Sequence, residues 1–194
     1  MTQAVAIMLA SSSPRRREIL EALGLEFTIA SVEVDETPRT GEPADEMVIR
    51  LAVAKAAMAA ASPGDIIIAA DTAVVVGGRI LGKPADQDEC LAMLDALAGR
   101  CHKVFTGVAL RRDGAAYTAV SQTDVYFREI SRDEALAYWQ SGEPRDKAGA
   151  YAIQGTGGAF VERIEGSYTG VVGLPVFETA ALLRKAGFDL VTRR

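Results

Sequence analysis

Five features of the sequence carry residue types that could do chemistry. In Ser11-Ser12-Ser13-Pro14-Arg15-Arg16, small hydroxyls precede two arginines at the expected start of a helix. A helix N-terminus presents unpaired N–H groups and partial positive charge, so acids are favoured there and arginines are repelled. A bound anion would relieve the repulsion and points to a phosphate site; a basic surface turn is the other reading. Asp71-Thr72 interrupts an apolar run. A carboxylate in such a strand is costly to bury unless it is paired or bound to a metal. Asp71 is therefore either a working group or a hydrogen-bonded aspartate at a bulge. Asp35-Glu36 follows an expected strand end. Alone these are solvated loop acids; with Asp71 they could supply the oxygen ligands a hard divalent cation wants.

Two lysines make the fourth element. Lys55 lies four residues after Leu51 and three after Ala52, at the border of a helix's apolar face, and Lys83 sits in Gly82-Lys83-Pro84. Each could be an ordinary surface lysine. A triphosphate needs several cations around one pocket, and Arg15, Arg16, Lys55 and Lys83 with a metal would supply them. The fifth is the Gly-rich, charged segment from Gly142 to Gly155, ending Tyr151-Ala152-Ile153-Gln154-Gly155. Long loops of this kind are often functional. A Gln154 amide offers donors and an acceptor suited to a pyrimidine edge, although a surface loop with a local Asp146–Lys147 pair fits the residues equally. No P-loop and no strand-linked Gly-x-Gly-x-x-Gly occurs.

Composition narrows the possibilities. The chain has 194 residues, 49% hydrophobic and 24% charged, enough for one well-cored domain spanning 1–194, in one or two lobes. No apolar run approaches the roughly 18–20 residues that span a bilayer. The stretch Met1 to Ala10 lacks a basic leader region and reads as a first strand and its turn rather than a signal peptide. Two cysteines without a CxxC spacing suit a reducing, cytoplasmic compartment, and a single histidine, His102, rules out a His-rich metal site. A net charge of −5 argues against nucleic acid as a partner, so any anion site must be a local cluster of cations in an acidic protein.

The elements expected to position these groups alternate between strand and helix. Val5 to Ala10 reads as a strand and Pro14 to Leu23 as a helix capped by Ser13 and ended by Gly24. A second strand is expected over Glu26 to Val34, then a turn over Asp35 to Pro38, then a helix over Ala44 to Ala61. Asp65 to Val76 reads as a strand buried on both faces, followed by a Gly77-Gly78 hairpin turn. Asp86-x-x-Glu89 opens a helix that Gly99 ends. Strands over Lys103 to Arg111 and Ala116 to Arg128 flank the turn Arg112-Asp113-Gly114, and Ser131 to Glu134 form a capping box for a helix through Trp139. Gly142 to Gly158 reads as loop, Val161 to Ile164 as a short strand and Pro175 to Ala186 as a final amphipathic helix. Hairpins among alternating strands and helices predict an α/β fold with a mixed sheet flanked by helices.

Five motifs in order resemble the Maf family of nucleotide pyrophosphatases over nearly the whole length: Leu9-Ala10-Ser11-Ser12-Ser13-Pro14-Arg15-Arg16-Arg17, Val34-Asp35-Glu36, Ala70-Asp71-Thr72, Gly82-Lys83-Pro84, and Gly166-Ser167-Tyr168 with Val171-Val172-Gly173-Leu174-Pro175. The resemblance implies a fold like that of inosine-triphosphate pyrophosphatases, two lobes around a cleft, a homodimer, and hydrolysis of a nucleoside triphosphate with Mg²⁺ or Mn²⁺. It implies that Asp71 accepts the proton of the attacking water, that Glu36 and Asp71 bind the metal, and that Ser11, Arg15, Arg16, Lys55 and Lys83 bind phosphate. The segment from Asp146 to Gly155 is similar to the branch acting on dTTP and UTP, in which Arg15, Thr72 and Gln154 are tied to substrate choice. The branch acting on 7-methyl-GTP, and a module that senses nucleotides without cleaving them, are the rival readings. Gly170 stands where many members have Asn, which predicts a less stiff loop.

Overall fold

The computed structural model describes residues 5–192. Met1 to Ala4, part of the expected N-terminal stretch, lie outside the described residues. The chain folds into two compact units. The first takes the residues up to Asp71, Thr106–Ser121, and Gly173 onward; the second takes Thr72–Phe105 and Gln122–Val172. The sheet is mixed, as its hairpins predict: its strand order is β2 (Thr28–Ile29), β1 (Ile7–Leu9), β3 (Ile66–Val76), β5 (Cys101–Arg112), β6 (Ala115–Phe127) and β7 (Val161–Glu165), with β4 (Arg79–Leu81) paired to β3.

In the first unit, β1 (Ile7–Leu9) pairs in parallel with β2 (Thr28–Ile29) on one side and with the start of β3 (Ile66–Val76) on the other. The apolar run of β3 is continuous because both faces are covered. Ile66, Ile68 and Ala70 point to one face, with Val108 and Leu110 of β5 (Cys101–Arg112). There they meet Leu20 of α1 (Pro14–Ala22) and Leu182 and Leu183 of α6 (Val176–Lys185). Ile67 and Ala69 point the other way, with Ala109, onto Ala52 and Ala56 of α2 (Ala44–Met58) and the adjoining Ala59. Each fully buried Leu or Ile contributes on the order of 1.5–3 kcal/mol. On the small-residue side α2 comes very close to the sheet: a Cβ on Gly107 would lie 2.6 Å from the backbone carbonyl of Val48. Only glycine tolerates that approach.

In the second unit, the end of β3 turns through Gly77 (φ 55°) and Gly78 (φ 77°) into β4 (Arg79–Leu81), with Val74 opposite Leu81. Two consecutive positive φ values are what a tight hairpin turn requires. The core gathers Val74, Leu81, Cys90, Leu94 and Leu97 of α3 (Gln87–Leu97), and Tyr138 of α4 (Arg132–Gln140). It also takes Phe127 of β6 (Ala115–Phe127) with Tyr151 and Phe160. Asp86 caps α3 by accepting from Glu89 N, and Ser131 and Glu134 complete the capping box of α4. β7 (Val161–Glu165) runs antiparallel to β6.

Several expectations need correction. The strand expected over Glu26 to Val34 shrinks to Thr28–Ile29, because the chain beyond Ile29 leaves the sheet and runs irregularly. Ser13 holds the N-cap position of α1 without making a side-chain cap bond; its backbone N–H instead donates to Ser11 Oγ (3.2 Å). Gly142 to Gly158 is not plain loop but contains three short 3-10 turns, Glu143–Asp146, Ala148–Ala150 and Thr156–Phe160. The region of Gly170, expected to be loop, forms α5 (Tyr168–Val172), and Gly170 N donates to Ser167 Oγ (3.0 Å).

Candidate active site

Parity and periodicity bring the first charged cluster together. Successive β-strand side chains alternate faces, so Asp71 shares with Ile67 and Ala69 the face that α2 covers. On α2, Val48, Leu51, Ala52 and Lys55 recur at helical spacing, so Lys55 is carried to the same face and is buried there. The sequence placed Lys55 only at the border of that face. Its ammonium lies 2.7 Å from Asp71 Oδ1 and 2.6 Å from Glu36 Oε1. Asp71 is buried, whereas the Glu36 side chain is half-exposed.

The loop carrying Glu36 is fixed by its own bonds. Asp35 Oδ1 accepts from Thr37 N (2.9 Å). Arg50 of α2 donates to Thr37 O (3.3 Å) and forks onto both oxygens of Glu42 (2.5 and 2.7 Å). Those Arg50 bonds hold the Glu42 carboxyl far down, at about 2.

Ser11 and Arg16 form the neighbouring part. β1 ends where Ala10 N donates to Ile68 O (2.8 Å), and β2 ends where Ala30 N donates to Leu9 O (2.9 Å). Ser11 and the Glu36 loop therefore lie beyond the carboxyl ends of the parallel strands β1 and β2, where open α/β sheets place their ligands, and Asp71 lies within β3, past the last residue that pairs with β1. Buried Ser11 Oγ accepts from Ser13 N and from Arg16 Nη1 (3.1 Å). A hydroxyl has two acceptor sites and one proton, so the Ser11 proton is what remains to donate. Arg16 Nε donates to Gly173 O (2.8 Å), a role for the Val-Val-Gly-Leu-Pro motif that the sequence did not reveal. Arg15 lies half-buried beside it in the first turn of α1.

The electrostatics arise from crowding. Burial pushes the Asp71 carboxyl above its ordinary range, against the pull of Lys55 and Arg16, and the neighbouring Glu36 pushes the same way. Burial also lowers the Arg16 guanidinium, which Asp71 supports and Arg15 opposes; it stays protonated throughout the physiological range. A carboxylate raised toward neutrality and close to cations is suited to accept a proton.

The remaining sequence candidates belong to the second unit. Thr72 comes directly after Asp71 along β3 and faces the other side. Lys83 is exposed after β4, where Gly82 O accepts from Gly149 N (3.0 Å). Gln154 is exposed in a segment held by residues the sequence did not single out. Tyr138 Oη donates to Glu143 Oε1 (2.6 Å) and accepts from Ala152 N (3.1 Å), while Thr156 N and Gly157 N donate to Glu143 (2.9 Å each). Burial opposes ionisation of Glu143, but these hydrogen bonds outweigh it and hold the carboxyl below its ordinary value. Beneath this segment His102 Nε2 pairs with Tyr151 Oη (2.8 Å), and its Nδ1 has no partner. Asp146 and Lys147 form the expected local pair.

For a metal, Glu36 and Asp71 converge on one point, which the Lys55 ammonium fills. No group of three or more His, Cys, Asp or Glu suited to a metal occurs among the described residues. Two carboxylates without further protein ligands fit Mg²⁺, which takes one or two carboxylates and completes its shell with substrate phosphates and water. No helix among the described residues is long and apolar enough to cross a membrane.

The fold and site together define a mixed α/β-sheet protein with serine, arginine, lysine and two acids clustered near the ends of β1 and β2. The chain belongs to the Maf family: the family described as Maf-like protein matches residues 6–186. It is 52% identical over 192 residues to a protein of Anaeromyxobacter dehalogenans named dTTP/UTP pyrophosphatase, covering 97% of each chain. It is also 52% identical to a protein of that name from Myxococcus xanthus, covering 96% of this chain and 95% of that one. Among solved structures it is similar to a HAM1 protein from Coxiella burnetii, with 18% identity, TM-score 0.49, and 93% and 99% of the two chains covered.

Proposed function

We propose that this protein hydrolyses dTTP and UTP to the nucleoside monophosphate and pyrophosphate. The reading is carried by the meeting of Ser11, Arg16, Lys55, Glu36 and Asp71 just past the carboxyl ends of β1 and β2 and beside the middle of β3, and it is supported by family membership and by the names of the relatives. Water attacks phosphorus at the α–β anhydride, the bridging P–O bond breaks, and Asp71 takes the water's proton. The Ser11 hydroxyl donates to a phosphate oxygen, and Arg15, Arg16 and Lys55 stabilise the charge that grows on departing pyrophosphate. Lys83 adds a cation to the phosphate tail. Thr72, Arg15 and Gln154 choose the base. Glu36 and Asp71 would hold Mg²⁺ or Mn²⁺, which supplies Lewis-acid stabilisation when bound. The enzyme acts as a homodimer in the cytoplasm, a setting that suits its two free cysteines, Cys90 and Cys101.

The deciding experiment is pyrophosphate release from dTTP, UTP and 7-methyl-GTP in competition, with each metal and without. Turnover of dTTP and UTP is expected. Preference for 7-methyl-GTP would transfer the protein to the other branch, and nucleotide binding without product would make it a sensor.

A further inference from the structure

We infer that Glu143 and Tyr138 are positioning residues for base choice: they fix the segment carrying Gln154 and so separate uracil and thymine from cytosine. The inference rests on the reading of Gln154 given under the proposed function.

The segment from Ala152 to Gly157 belongs to no strand or α-helix, and its own backbone bonds are few. Gly155 N donates to Ala152 O (3.2 Å), and Gly158 N donates to Gly155 O (3.0 Å). What holds it comes from one carboxylate and one phenol. Glu143 Oε1 accepts from Tyr138 Oη and Gly157 N, Glu143 Oε2 accepts from Thr156 N, and Tyr138 Oη accepts from Ala152 N. These bonds bracket Gln154 on both sides, at 152 before it and at 156 and 157 after it. Bonds to an ionised acceptor are about twice as strong as neutral ones. The frame beneath is firm: Tyr138 is 3% exposed and packs edge-on against Phe160, with ring centroids 5.1 Å apart. Ser141 Oγ donates to Tyr138 O (2.6 Å) and accepts from Glu143 N (3.2 Å), which ties the two anchors to each other. The glycines of the segment conform to the same network. A Cβ on Gly155 would strike the Glu143 carboxylate, with Cδ at 2.6 Å, and a Cβ on Gly157 would lie 2.5 Å from Tyr138 Oη.

Uracil and thymine present an N3–H donor beside carbonyl acceptors, whereas cytosine presents an N3 acceptor beside an amino donor. A glutamine amide carries both functions and can turn over to suit either pattern. What the anchors at 152, 156 and 157 fix is where that amide starts, and so which base edge it can reach. Freed from Glu143, Gln154 adapts to cytosine as readily as to uracil. The proton-accepting and phosphate-binding groups of the first unit are separate from this network, so the loss falls on KM and selectivity rather than on kcat.

The test measures KM and kcat for UTP, dTTP and CTP by pyrophosphate release, with thermal melts of each variant, in the wild type and in Glu143→Ala, Glu143→Gln, Tyr138→Phe and Gly155→Ala. Glu143→Ala is expected to raise KM for UTP and dTTP roughly tenfold and to lower the UTP-to-CTP ratio of kcat/KM by a similar factor, as loss of a few charge-assisted bonds predicts. Glu143→Gln, which keeps one acceptor oxygen, falls between it and the wild type. Gly155→Ala reproduces Glu143→Ala from the other side of the contact. An unchanged UTP-to-CTP ratio in Glu143→Ala and Gly155→Ala, or a loss confined to kcat, overturns the inference. If Glu143→Ala shows no cooperative melt, Tyr138→Phe and Gly155→Ala decide: a lowered ratio supports the inference and an unchanged ratio overturns it. A wild type inactive on both UTP and dTTP overturns the functional reading itself, whereas a selective wild type with equally selective variants overturns only the role of Glu143 and Tyr138.

Discussion

Around Asp71 the polar groups are crowded and incompletely spent, whereas around Glu143 they are spent on the chain itself. Lys55 bridges two acids, burial lifts the Asp71 carboxyl, and Ser11 keeps a proton to give. At Glu143 both oxygens accept hydrogen bonds from the protein, and the carboxyl is held below its ordinary value. The same residue types thus answer one another's charge in one unit and hold the backbone in the other. What separates them is whether backbone N–H groups or other side-chain charges answer the carboxylate. A carboxylate answered by N–H groups has little left to offer a substrate.

Asp71→Asn gives the sharpest test of that contrast. It is expected to reduce turnover of UTP by about a thousandfold, the range of a lost proton acceptor, while the melting transition remains cooperative. Turnover within a few-fold of wild type would make the first cluster as structural as the second.

Acid should act on the second unit through His102. This side chain is 1% exposed, and burial depresses its imidazole to about 4 from an ordinary 6.5, with Asp124 pulling weakly the other way. A depressed folded-state value means the unfolded chain binds the proton first. The stabilisation is therefore complete above about pH 6.5 and is lost as pH falls toward 4, by up to about 3 kcal/mol. Urea unfolding at pH 7 and pH 5 checks this. The acid loss should shrink in His102→Gln, and an equal loss in both proteins would place the acid sensitivity elsewhere.

Gly107→Ala probes how tightly the first cluster depends on the α2–sheet approach. The added Cβ meets the Val48 carbonyl group and Ile49 N, so destabilisation of about 2 kcal/mol is expected from overpacking. Activity should fall as well, because Lys55 travels with α2. Full activity in a folded Gly107→Ala protein would show that Lys55 need not sit where it does.

The smallest effect compares two caps. Ser131→Ala should cost about 1 kcal/mol, the usual value for a capping serine. Ser13→Ala should cost well under that, since Ser13 makes no side-chain cap bond. Equal losses in chemical denaturation would mean that α1 is capped after all.

Much of the fold was legible in the residues. The unbroken apolar run from Ile66 announced a strand covered on both faces, the glycine pair after it announced a hairpin, and Asp71 stood out as an acid in the wrong company. The irregular regions were not legible. The strand expected from Glu26 collapsed to two residues, and the supposed loop from Gly142 proved to contain three short turns, the last of them bonded to Glu143, because neither region has a repeating pattern to read.

Strand parity and helix period by themselves put Asp71 and Lys55 on faces able to meet, since both come from local backbone geometry. Only the tertiary structure decided that one ammonium would bridge Asp71 and Glu36, that Arg16 would reach Gly173 across 157 positions, and that Glu143 would hold Thr156 and Gly157. Such pairings depend on how distant segments pack, and no periodicity in the chain encodes the distance between them.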